Sequence, residues 1–135
     1  MIRTFVDTSF AIAVANKNDE FHSEALEYSF LLEDAALVTT DCVILEIGNS
    51  LASKFREQAV LTISNFLLSE EIEIVKLNAD LFGRAFELYR THTDKTWGMV
   101  DCVSFVVMRD LGVSKALTTD KHFSQAGFEV LLRAG

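Results

Sequence analysis

The chain has 135 residues, half of them hydrophobic, a size that suits one compact domain spanning residues 1–135. Its net charge of −8, from 20 acidic and 12 basic residues, argues against a general nucleic-acid-binding surface but leaves room for a cation held by carboxylates. Cys42 and Cys102 are too few and too far apart for a disulfide or zinc framework. With no leader-like N-terminus and no long uncharged apolar window, the expectation is a soluble, cytoplasmic protein with no membrane partner.

Ile2-Arg3-Thr4-Phe5-Val6-Asp7 reads as a short strand ending on a carboxylate, followed by the hydroxyls of Thr8 and Ser9 and a helix to Ala15. Phe21 to Leu32 carries apolar residues near helical spacing, and Ala36 to Thr39 is a β-branched run that predicts a second strand. Cys42 to Phe55 predicts a helix with Val43, Ile44, Ile47 and Leu51 on one face; Arg56 and Glu57 interrupt, and Gln58 to Leu68 predicts another. Ile72 to Val75 alternates with period two, a third strand. Ala79 to His92 repeats apolar residues at Leu81, Ala85, Leu88 and Tyr89, an amphipathic helix, and Thr91 to Thr96 is a polar loop. Gly98 to Leu111 is apolar almost all round, so a buried helix is expected, closed by Gly112. Ala116 to Thr118, Lys121 to Gln125 and Phe128 to Leu131 predict a strand, one helical turn and a strand. Strands alternating with helices predict an α/β fold with a mainly parallel sheet of four to five strands.

Four acids stand at strand ends or near helix starts: Asp7, Glu46, Asp101 and Asp120. In a parallel sheet those places share one edge, where such folds bind ligands. Each has a plainer explanation taken singly. Asp7 and Asp120 suit helix N-caps, worth about 1 kcal/mol each, and Asp101 suits a helix dipole. Glu46 suits the solvent rim of its helix. Taken together these explanations require four accidents on one edge. Asp101 also sits among Met99, Val100, Cys102 and Val103, where an unpaired buried carboxylate is costly.

The series Phe5-Val6-Asp7-Thr8-Ser9, Glu46 with Asn49 and Leu51, Asp101, and Leu117-Thr118-Thr119-Asp120-Lys121-His122-Phe123 resembles the PIN-domain family. It is most similar to that family's VapC-type toxin ribonucleases, from end to end. The resemblance implies a three-layer α/β/α sandwich and an Mg2+- or Mn2+-dependent ribonuclease. It maps the family's acids onto Asp7, Glu46, Asp101 and Asp120, and its hydroxyl onto Thr118. An antitoxin protein and a second copy of the chain, giving a homodimer, come with the same implication. The segment Asp94 to Met99 departs from the family pattern.

Phosphodiester hydrolysis needs an activated water and charge neutralisation at phosphate. Asp7 and Asp101 are expected to contact the metal directly, with Asp120 on a second metal or on metal-bound waters. Glu46 is expected to orient or deprotonate the attacking water. Ser9 and Thr118 are expected to orient carboxylates, and Asn49, one turn from Glu46, to fix its side chain. Without metal the cluster should oppose folding, since two carboxylates about 5 Å apart repel by roughly 3 kcal/mol at an effective dielectric of 20. On this basis Asp101→Asn is expected to raise the melting temperature of metal-free protein.

Lys17, Lys54, Arg56, Lys95, Lys121 and His122 are candidates for a local basic rim, and Trp97 for base stacking or, more simply, packing. His22, His92 and His122 lack metal-ligand spacing. A phospho-acceptor domain wants paired acids after the first strand, and a covalent phosphatase a second Asp where Ser9 stands. The remaining alternative is a non-catalytic PIN-like interaction module.

Overall fold

Among the residues described by the computed structural model, 2–32 and 35–132, the elements follow one another in the expected order. They are β1 (Thr4–Val6), α1 (Thr8–Ala15), α2 (His22–Leu31), β2 (Leu37–Thr40), α3 (Asp41–Leu51) and α4 (Arg56–Leu68). Then come β3 (Ile72–Val75), α5 (Ala79–Thr91), α6 (Met99–Leu111), β4 (Lys115–Leu117), α7 (Lys121–Gln125) and β5 (Glu129–Val130). The sheet order is β3-β2-β1-β4-β5, and every pairing is parallel. The chain steps outward from β1 to β2 and β3, then returns to the other side of β1 as β4. Right-handed crossovers in opposite directions place helices on both faces, which gives the expected α/β/α layers.

That reversal makes the crevice between β1 and β4 the topological switch point, where open α/β sheets bind ligands. Val6 pairs with Leu117, so the next residues, Asp7 and Thr118, leave the sheet side by side. The backbone NH of Asp7 donates to the Leu117 carbonyl at 3.1 Å and fixes that register.

The core lies on both faces of the central strands. Phe5 and Val6 are buried, as are Val43, Ile47 and Leu51 of α3 and the run Cys102 to Met108 of α6. Phe105 is the hub of an aromatic cluster, edge-on to Trp97 at 5.1 Å and to Phe123 at 5.0 Å, with Phe128 at 5.7 Å. Gly112 ends α6 in the left-handed region at φ 67°, as its position past the last apolar residue led one to expect.

Three local expectations differ from what is observed. Arg56 and Glu57 do not break the chain into two helices with a gap before Gln58; they form the first turn of α4, where Glu57 complements the helix dipole. The preceding helix stops earlier, at Leu51 instead of Phe55. Tyr89 does not join the inward stripe of α5: Leu81 and Ala85 are buried, whereas Tyr89 is 46% exposed together with Phe82 and Phe86.

Candidate metal centre and active site

Asp7 is the N-cap of α1, so capping and site membership are one geometry. Its Oδ2 accepts from Ser9 Oγ at 2.8 Å and from Thr118 Oγ1 at 2.8 Å. Those hydroxyls are aimed by the backbone: Ser9 Oγ accepts from the Thr119 NH at 3.0 Å, and Thr118 Oγ1 accepts from the Asp120 NH at 3.0 Å. Each hydroxyl has one proton, and each gives it to Asp7. The loop after β4 thereby clamps the acid at the end of β1.

Asp7 is only 4% exposed. Burial is the main reason its carboxyl is raised from 3.8 to about 6; the Thr118 and Ser9 hydroxyls pull it down, and the charge of Asp101 pushes it up. Its Oδ1 takes none of these bonds, and no cationic side chain among the described residues pairs with it. Beside it, Thr8 Oγ1 is the one buried side-chain oxygen among the described residues without a hydrogen-bond partner.

Asp101 lies at the third position of α6, and its Oδ2 accepts from the Gly98 NH at 3.1 Å, which caps the helix from within. Burial raises its pKa, opposed by the bonds from Gly98 and His122, while Asp120 raises it further. Asp120 is the N-cap of α7, accepting from the His122 NH at 2.9 Å. The His122 ring then turns back into the cleft. Its Nδ1 lies 2.9 Å from Asp101 and 3.3 Å from Asp120, and its Nε2 lies 3.0 Å from Thr96 Oγ1.

His122 is therefore not part of an outer basic rim, as its sequence context suggested, but sits within the acidic group. Ligand atoms of Asp101, Asp120 and His122 all lie within 4.8 Å of one another, close enough to share a cation. Spacing rules for metal-binding histidines miss it because its partner Asp101 is 21 residues away in sequence. The available signal was its place two residues after a capping acid, where a short turn folds the side chain back over that acid.

The chemistry of these groups fits a hard divalent cation. Carboxylate oxygens suit Mg2+ and Mn2+, and imidazole is accepted by transition metals. Asp7 is a buried carboxylate with no cationic partner among the described residues.

Glu46 is placed differently. It is half-buried on α3 and takes no part in the bonds that join Asp7, Asp101, Asp120 and His122. Asn49 is exposed, and among the described residues no hydrogen bond links it to Glu46. Trp97 is packed, 6% exposed, with its indole NH donating to Gln125 at 3.0 Å; it is not free to stack a base.

Comparison with known proteins agrees with this architecture. The model of the PIN domain family matches residues 4–129. A protein of Mycobacterium tuberculosis named 23S rRNA-specific endonuclease VapC20 is 32% identical over 124 residues, covering 92% of this chain and 94% of the relative. The crystal structure of VapC20, described as a sarcin-ricin loop cleaving toxin, superposes with a TM-score of 0.86 at 29% identity, over 96% of this chain and 98% of that one. VapBC2 of Rickettsia felis, solved with promoter DNA, has a TM-score of 0.68 at 18% identity over 98% of both chains, a likeness of fold alone. The chain belongs to the PIN-domain family, in its VapC-type branch.

Proposed function

We propose that this protein is a metal-dependent endoribonuclease that acts as the toxin of a toxin–antitoxin pair, with structured ribosomal RNA as its substrate class. The observation that carries the reading is the group of Asp101, Asp120 and His122, whose ligand atoms lie within 4.8 Å of one another, with Asp7 at the β1–β4 switch point near enough to Asp101 to feel its charge. The similarity to an rRNA-specific endonuclease over nearly the whole chain supports it. A cognate antitoxin protein and a homodimer are proposed on the same family ground.

Asp7, Asp101 and Asp120 would hold Mg2+ or Mn2+. Such an ion lowers the pKa of bound water and neutralises charge on the scissile phosphate. The chain's own residues do the rest. Ser9 and Thr118 hold the Asp7 carboxylate in one orientation through Oδ2. His122 holds Asp101 and Asp120 at a fixed separation. Glu46 is proposed as the residue that orients or deprotonates the attacking water, entering the site with substrate.

Incubating the purified chain with ribosomal RNA and Mn2+, then mapping ends by primer extension, tests this function. Cuts at one or a few positions, absent with chelator, are expected. Intact RNA at every metal concentration, with no melting shift on adding Mg2+ or Mn2+, would identify the non-catalytic interaction module instead.

A further inference from the structure

Between the end of α5 and the start of α6 lies a cavity of about 330 Å3, lined by Tyr89, His92, Thr93, Lys95, Thr96 and Trp97. The volume falls in the range of ligand pockets, roughly 300–1,000 Å3. Thr96 joins it to the acidic centre, since the same residue that lines the cavity bonds to His122 at 3.0 Å.

The lining is built in layers. Trp97 is fixed by Gln125 and by Phe105, and the His92 ring stacks on it at 5.0 Å with an interplanar angle of 27°. His92 Nδ1 donates to the Leu88 carbonyl at 2.9 Å, so that ring is held before anything enters. Tyr89 stands one turn earlier on α5, nearly half exposed, the last of an outward row of aromatic rings with Phe82 and Phe86 and the one of the three that lines the cavity. Lys95 supplies the positive charge. Its ammonium lies 3.3 Å from Asp94, but that acid is largely exposed, so an arriving phosphate competes for Lys95 on favourable terms.

An aromatic face, a cation and two threonine hydroxyls, linked to the carboxylates through Thr96 and His122, match the parts of a nucleotide. We propose that this cavity holds one unpaired nucleotide of the RNA next to the scissile phosphate, with its base on Tyr89 and its phosphate toward Lys95. This rests on the ribonuclease reading for the identity of the ligand. It explains how an acidic protein selects an RNA loop: stacking is sequence-tolerant but requires an unstacked base. The segment Asp94 to Met99, which departs from the family pattern, is then the part of this chain that shapes its own substrate choice.

The test uses Tyr89→Ala, Tyr89→Phe and Lys95→Ala, none of which removes a buried group. Binding of a fluorescent 12-nucleotide single-stranded RNA is followed by anisotropy in EDTA, and cleavage of ribosomal RNA is measured separately with Mn2+. Tyr89→Ala should weaken binding and raise KM about tenfold with kcat little changed, as expected for one lost base stack. Tyr89→Phe should stay within about twofold of wild type, and Lys95→Ala should reduce the salt slope by about 0.7, one phosphate contact on a single strand. Wild-type cleavage with unchanged KM and binding in Tyr89→Ala overturns the cavity and leaves the ribonuclease reading standing. Binding that depends on Tyr89 without any cleavage upholds the cavity and overturns the ribonuclease reading. A wild type that binds no RNA overturns the cavity outright.

Discussion

Burial lifts the Asp7 carboxyl to about 6, and the proton it then keeps has consequences for stability. Below about pH 3.8 folded and unfolded chains both hold that proton, and the group is neutral to folding. As pH rises toward 6 the unfolded chain releases it first, so stability falls across that window and levels off above it. The loss amounts to about 3 kcal/mol at most. Asp7→Asn should therefore melt several degrees above wild type at pH 7.5 in EDTA and together with it at pH 4, as read by circular dichroism. Coincident melting at both values would mean that Asp7 has a charge partner. The structure moves this expectation away from Asp101, where the sequence had suggested it. Asp101 accepts from Gly98 and from His122, so Asp101→Asn gives up a cap and an imidazole contact along with the repulsion. It should stabilise metal-free protein less than Asp7→Asn.

At the scale of elements, the site depends on how α6 and α7 pack. Phe123 is fully buried edge-on against Phe105, and it lies three residues after Asp120 on a helix of five residues. Phe123→Ala should cost about 3–5 kcal/mol in a urea titration. It should also weaken the Mn2+-induced melting shift, because Asp120 and His122 lose the anchor of their turn. Unchanged metal response in a destabilised variant would show that α7 is held by its backbone bonds alone. Periodicity made these elements legible: alternating β-branched residues mark the strands, and the apolar run of Val100 to Met108 marks α6 as buried. Strand ends of a parallel sheet share an edge, and on that ground Asp101 and Asp120 were named together before the structure brought them to one group; Glu46, named on the same ground, stays outside it. What escaped was set by contacts distant in the chain. His122 reaches Asp101 across 21 residues, and no local pattern encodes that approach. On α5, Tyr89 fits an inward stripe with Leu81 and Ala85 as well as an outward one with Phe82 and Phe86, and only packing against α6 decides between them. The charged pair Arg56-Glu57 looked like an interruption because a helix's first turn tolerates charge as readily as a loop does.

Over the whole molecule the net charge of −8 limits how RNA can be held. Acids outnumber bases 20 to 12, and Arg3, Arg84 and Arg90 are paired with acids on the surface. Electrostatic attraction is then weak, and recognition falls to shape, stacking and the metal. The logarithm of the RNA affinity should fall with the logarithm of salt at a slope of only about −1.4 to −2, as for two or three phosphates. A slope several times steeper would reveal a basic surface supplied by a second copy of the chain. In the proposed function, one acidic cleft, anchored by Asp7 at the end of β1, cuts RNA with a divalent metal. Wild type and Asp7→Asn, incubated with the same end-labelled ribosomal RNA in Mn2+ and in EDTA, test it most directly. Wild type should cut at discrete positions in Mn2+ alone and a fully folded Asp7→Asn not at all; equal cleavage by the two proteins, or cleavage that persists in EDTA, would show that the metal cleft is not the nuclease site.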